Sequence, residues 1–289
     1  MTPREPAPRL RWQAVSQVVV AFAGGGGGGA LVQTAAAAAR ALGVGISGLY
    51  VRNVALDDLA GLPFATMLDA SRTTPQRPTG AAIERSWRRE EARCRALLGR
   101  AAAASAPAFE TVAGRLETAL TPRLARDTLV AISAADGLRD SALWPAAQTL
   151  AAAAGAVLVV PASVRSEPRD APVLAIDDGD RAGAETIALA DRIAQASGRP
   201  LAVLALGTPL TAQAIAARAR ALATSDRLVA HGWPDWKADE LARPIARIAP
   251  WMIVGDLAGR PFAETGQAMA ILRRLAAPLL LLSPPADGG

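Results

Sequence analysis

VVVAF at residues 18–22, a glycine-rich turn, an alanine-rich helix and ISGLYV at 46–51 open the first half of the chain; VLAI at 173–176, DDGDRAG, a second alanine-rich helix and LAVLAL at 201–206 open the second. The halves also close alike. AQTLAAAAGAVLVVP (147–161) and GQAMAILRRLAAPLLLLSP (266–284) each pair a glutamine-marked helix with a continuous apolar strand. A repeat of this length lies well above the period of solenoid units, so it describes two whole domains and not an array of small repeats.

Working outward, the pattern predicts strands over 18–22, 46–51, 109–113, 129–132 and 157–160, with helices over 31–42, 82–104, 117–126 and 146–154. The second half predicts strands over 173–176, 201–206, 227–231, 251–254 and 279–282. Strands alternating with helices of about ten or more residues demand crossover connections, hence a mainly parallel sheet covered on both faces. The expected fold class is α/β: two tandem Rossmann-like domains, each a five-stranded mainly parallel sheet flanked by helices. A single continuous sheet would overturn that division. Residues 1–15, with Pro3, Pro6 and Pro8 among alternating charges, are expected to form a flexible tail. The first domain is placed at 16–163 with an inserted loop at 53–80, the linker at 164–172 within the polar stretch ASVRSEPRDAP (162–172), and the second domain at 173–285.

The 289 residues suffice for two cores. No apolar run approaches the roughly 20 residues that span a bilayer, and the basic, proline-rich start has no signal-peptide core, so a cytoplasmic location without membrane contact is expected. The net charge of +5 is carried almost wholly by arginine, with Lys237 the single lysine. Those arginines alternate with acids, as in RSWRREEARCR (85–95), which fits solvated helix faces better than a nucleic-acid track. Cys94, the one cysteine, excludes an internal disulfide and falls on a helical apolar stripe with Ile83, Trp87 and Leu97, as a buried, inert thiol would. His231, the one histidine, excludes a multi-histidine metal site. It stands beside Trp233, Asp235 and Trp236, a loop able to stack a ring or to pack as a lid or interdomain contact. Asp177, Asp178 and Asp180 can gather a cation or simply suit the positive end of a helix dipole.

In an open parallel sheet a ligand sits beyond the carboxyl ends of the strands where strand order reverses, so the loops after the first and fourth strands of each half carry the site question. The phrase PWMIVGD (250–256), the glycines that follow it, GQ at 266–267 and APLLLL (277–282), together with the order of elements, resemble the universal stress protein family in its tandem two-domain form, over 18–284. In nucleotide-binding members of that family the fourth strand ends in Gly-x-x-Gly, nine residues, then Gly-Ser or Gly-Thr, and an Asp follows the first strand near the adenine or ribose. Glycines there let backbone N–H groups approach phosphates.

In the first half Ala134, Gly137, Ala147 and Gln148 occupy that frame, and the first-strand loop carries Ala23 followed by six glycines, with no Asp, so phosphate binding there is expected to be lost. The six glycines also satisfy G-x-G-x-x-G, but the acidic residue needed about 20 positions on is missing. The second half keeps Asp177 and Gly255, Gly259 and Gly266, with the loop two residues short and Gln267 in place of the hydroxyl. Ile176, Asp177, Val254, Gly255, Gly259, Gly266 and Gln267 are therefore the candidate cofactor-binding set. The bland alternative is that Gly255 ends a strand and Gly266 starts a tightly packed helix. No catalytic set or metal site is expected.

The resemblance implies a non-enzymatic protein of stress adaptation, without cofactor, working through a small ligand, a protein partner or a homodimer. The alternative is ATP binding with slow hydrolysis in the second half. The apolar final strands are the natural edges for pairing the two halves or two chains; burying them within one chain gives a pseudo-twofold sandwich.

Overall fold

The computed structural model describes residues 10–23, 28–52, 79–102, 106–134, 140–161, 168–179, 181–207, 212–233, 240–263, 268, 271 and 277–284. Ten strands form β1 (Gln17–Phe22), β2 (Gly45–Arg52), β3 (Phe109–Ala113), β4 (Thr128–Ser133), β5 (Ala156–Val160), β6 (Val173–Asp177), β7 (Leu201–Leu206), β8 (Leu228–Trp233), β9 (Met252–Asp256) and β10 (Leu279–Leu282). The helices are α1 (Gly28–Leu42), α2 (Gly80–Ala101), α3 (Leu116–Leu120), α4 (Asp140–Ala153), α5 (Arg181–Ser197), α6 (Ala212–Leu222), α7 (Ala242–Ile248) and α8 (Arg260–Ala263). Each expected strand is present. The helix expected over 117–126 stops at Leu120 and tightens into a 3-10 turn at Thr121–Arg123, because Pro122 cannot supply an N–H to continue it.

The strands lie in one sheet in the order β3-β2-β1-β4-β5-β10-β9-β6-β7-β8. The single continuous sheet expected to overturn the division is therefore present, and that expectation is corrected, because strand direction preserves the duplication. Pairing is parallel within β1–β5 and within β6–β10, and antiparallel at the β5–β10 joint alone, where Leu280 faces Leu158. Reading outward from that joint, each half runs fifth, fourth, first, second, third, so a pseudo-twofold axis passes through it. Every residue of β5 and β10 is buried. Burial of each large aliphatic side chain there contributes about 1.5–3 kcal/mol.

Helices α1, α2, α5 and α6 cover one face, with Leu31, Ala35, Leu98, Ile187 and Ile193 packed on Val18, Val20 and Val203; α3, α4, α7 and α8 cover the other with Leu120, Trp144, Ile245 and Phe262. Alanine is what lets α1 and α5 approach each other across the axis. On the opposite face Trp144 and Phe262, one from each half, pack with ring centres 6.4 Å apart. Cys94 is buried, as its stripe requires. No helix among the described residues is long and apolar enough to cross a membrane.

A second expectation is corrected. Residues 10–15, assigned to a flexible tail, include a 3-10 turn at Arg11–Ala14 docked on the second half of the sheet. Residues 1–9 and nearly all of the 53–80 insertion, residues 53–78, lie outside the described residues.

Candidate functional site

Strand order reverses between β1 and β4 and between β6 and β9, so the crevices beyond their carboxyl ends are where an α/β sheet of this kind takes a ligand. In the second half, Asp177 ends β6 and Asp256 ends β9, one on each side of the crevice. Asp177 is buried at 2% exposure. Its Oδ1 accepts the Gly179 N–H at 2.9 Å and pairs with Arg218 of α6 at 3.2 Å, while Arg218 also donates to the Gly179 carbonyl at 2.7 Å. The first turn of α5 presses on the same carboxylate so closely that a Cβ at Gly183 would overlap Oδ1.

The other side of the crevice holds Arg11. Its guanidinium donates from Nε to Glu185 Oε2 at 2.7 Å, from Nη2 to Asp256 Oδ2 at 2.5 Å and from Nη1 to the Ser283 carbonyl at 2.7 Å. The Glu185 and Asp256 side chains are 4% and 5% exposed. Burial opposes the charge on Arg11, but the hydrogen bond to Glu185 and the negative charges of Asp256 and Glu185 outweigh it and hold the guanidinium above its ordinary value. The segment can reach this far because the antiparallel joint puts the start of β1 on the same edge of the sheet as the ends of β9 and β10.

The backbone that would grip a phosphate is engaged elsewhere. After β9, the Leu257 N–H donates to the Leu282 carbonyl at 3.0 Å, Ala258 to Asp256 Oδ1 at 2.8 Å and Gly259 to the Asp256 carbonyl at 3.1 Å. A Cβ on Gly259 would lie 3.2 Å from Asp178 Oδ2, so acid oxygens surround this turn. Gly255 serves packing: the buried Phe262 ring occupies the space a side chain would need. Ile176 and Val254 are buried strand residues, and the Ile176 carbonyl accepts from Thr186 at 2.8 Å. Of the seven candidates, Asp177 and Gly259 border the β6–β9 crevice, Ile176, Val254 and Gly255 are packed positions of its two strands, and Gly266 and Gln267 lie outside the described residues.

In the first half, Gly137 and glycines 24–27 lie outside the described residues, while the Ala134 N–H is engaged with the Val160 carbonyl at 2.8 Å. The strand register makes Phe22, the last residue of β1, the counterpart of Asp177. Phe22 lies beneath Gly28 of α1 as Asp177 lies beneath Gly183 of α5, so a phenyl ring replaces the carboxylate. Among the described residues no group of acidic, histidine or cysteine side chains suits a metal ion. His231 and Trp233 are not part of the crevice; they lie on β8, the outer strand. Asp235 and Trp236 lie outside the described residues.

Arg11, Glu185, Arg218 and Asp256 were not singled out from sequence. Trp12, an aromatic in an otherwise solvated proline-rich stretch, was the available sign that this segment docks; it packs on the α1–α5 face beneath Arg192.

No family model matches the chain, and no curated protein matches it. Solved structures do. The chain superposes on a universal stress protein from Archaeoglobus fulgidus DSM 4304 with a TM-score of 0.64 and 11% identity, over 97% of this chain and 100% of that one. Two Pseudomonas aeruginosa structures, a functionally unknown protein from strain PAO1 and one titled as a universal stress protein from strain UCBPP-PA14, each give a TM-score of 0.52 at 16% identity, over 96% and 94% of this chain and 95% and 94% of theirs. At such identities the likeness is one of fold: the chain carries the universal stress protein fold in tandem.

Proposed function

We propose that this is a non-enzymatic universal stress protein of the tandem kind, acting in stress adaptation by binding a small ligand or a protein partner, and that it does not use ATP. One observation carries the second clause: the crevice of the second half is filled by the protein's own ion pairs. A triphosphate entering it would meet Asp177, Glu185 and Asp256, and would have to displace Arg11 and Arg218 from buried carboxylates. Leaving a buried charge unpaired costs about 3–5 kcal/mol, comparable to a large share of the free energy of micromolar binding, roughly 8 kcal/mol. The turn after β9 has no N–H to offer in return at Leu257, Ala258 or Gly259. A cytoplasmic location and the absence of a nucleic-acid role belong to the same proposal. Exposed pairs such as Arg88–Glu84 and Arg95–Glu91 on α2 agree with the latter, since the arginines are balanced by acids on their own helix.

Equilibrium dialysis with labelled ATP tests the proposal. No saturable binding is expected below millimolar ATP, with or without Mg2+. Micromolar binding that disappears in Asp177→Ala would establish the rival, an ATP-binding protein with a site in the second half.

A further inference from the structure

We infer a binding site for a small apolar carboxylate in a groove between β7, β8 and α7, on the face of the outer strands and away from the β6–β9 crevice. The groove has a volume of about 660 Å³, within the roughly 300–1,000 Å³ of small-molecule sites. Ala202 and Leu204 of β7 form its floor, Val229, His231 and Trp233 of β8 one wall, and α7 contributes Arg247. Val229 is 52% exposed, so the apolar wall is open. Helix α7 is seven residues long and packs Ile245 over the buried Ala202 and Leu204, so the accessible wall is that of β8.

The pseudo-twofold supplies the chemistry. The first half has the matching groove, about 280 Å³, lined by Leu49, Glu110 and Arg123. Taking Phe22 and Asp177 as equivalent, the strand register carries Leu49 to Leu204 and Glu110 to His231. In the first half Arg123, after α3, places Nε and Nη2 on Glu110 Oε1 at 3.1 and 2.9 Å, and the groove is internally neutral. In the second half an arginine also lines the groove, Arg247 in the last turn of α7, but the acid has become His231. Among the described residues neither side chain has a hydrogen-bond or ion-pair partner, and Asp170, the one acid lining the groove, pairs with neither. Two donors thus flank a place where the other half holds a carboxylate. A ligand carboxylate takes the part of Glu110, and its apolar or aromatic body lies along Val229 and Trp233. Guanidinium recognition of a carboxylate gives both strength and direction.

The probes are 2-naphthoate and decanoate, with 2-naphthamide as the uncharged control, titrated calorimetrically into the full chain. Saturable one-to-one binding of both acids is expected, with the amide at least about tenfold weaker, the ratio set by loss of one charge-assisted hydrogen bond. Arg247→Gln and His231→Glu should each weaken the acids by about tenfold or more, the second because it restores the internal pair of the first half. Both residues are exposed, so the variants should melt as the parent does. Equal affinity for acid and amide, acids bound unchanged by either variant, or no saturable heat at millimolar acid would overturn the inference. So would a dimer in sedimentation that His231→Glu dissociates while carboxylates fail to bind, which would make the groove an interface between copies.

Discussion

Arg11 and its two carboxylates show how much one side chain can carry. Truncation to alanine leaves Glu185 and Asp256 buried with no shared cation, and a broken buried pair costs about 3–5 kcal/mol. With Arg11 at 19% side-chain exposure, water moderates the loss, and a fall near the lower end is expected in urea unfolding. Arg11→Lys should recover only part of it, because an ammonium cannot fork between two acids and a carbonyl. Tyr50, the one tyrosine of the chain, gives a second prediction at this scale. Burial, and then the negative charge of Cys94, Glu90 and Glu91 when ionised, push its hydroxyl up to about 12 from the ordinary 10. The unfolded chain therefore loses the proton first, and stability is unaffected below pH 10 and falls between about pH 10 and 12. A two-unit difference corresponds to roughly 2–3 kcal/mol. Denaturation at pH 9 and pH 11.5 should show this loss, Tyr50→Phe should remove it, and absorbance titration of the lone phenol reads the ionisation directly.

Among the elements, legibility followed how local the determining physics is. The strands β7 and β10 stand where the sequence predicts them, because short apolar runs bounded by glycine, proline or polar residues have few alternatives in an alternating pattern. The third helix of the first half was read too long because Pro122 was not given its weight. The parallel direction of the strands within each half followed from helix crossovers. What remained illegible was pairwise and distant. Arg11 reaches acids 174 and 245 residues away in sequence. No local pattern encodes such a separation. Gly255 stood out in the sequence, but whether a glycine serves a phosphate or a phenyl ring depends on what the fold brings against it, and here that is Phe262. His231 was noticed for its chemistry and its neighbour Trp233; that it lines one groove with Arg247 needed the fold.

For the whole molecule, the sheet and the two helix layers tie the halves together on both faces, through α1 against α5 and Trp144 against Phe262. One calorimetric transition is expected rather than two. Leu281→Asp, which places a charge in the fully buried β10, should lower that whole transition by at least about 4 kcal/mol of stability, the range of uncompensated buried charge. Two separated endotherms, with the mutation felt in one alone, would show instead that each half stands by itself. The position of β10 has a further consequence for biosynthesis. It is the last of the ten strands to leave the ribosome, yet it lies at the centre of the sheet. Until it arrives, the apolar flank of β5 is an open template for any passing chain, so a nascent polypeptide arrested before residue 279 should recruit chaperones or aggregate, whereas release of the final strand zips the structure shut from its middle.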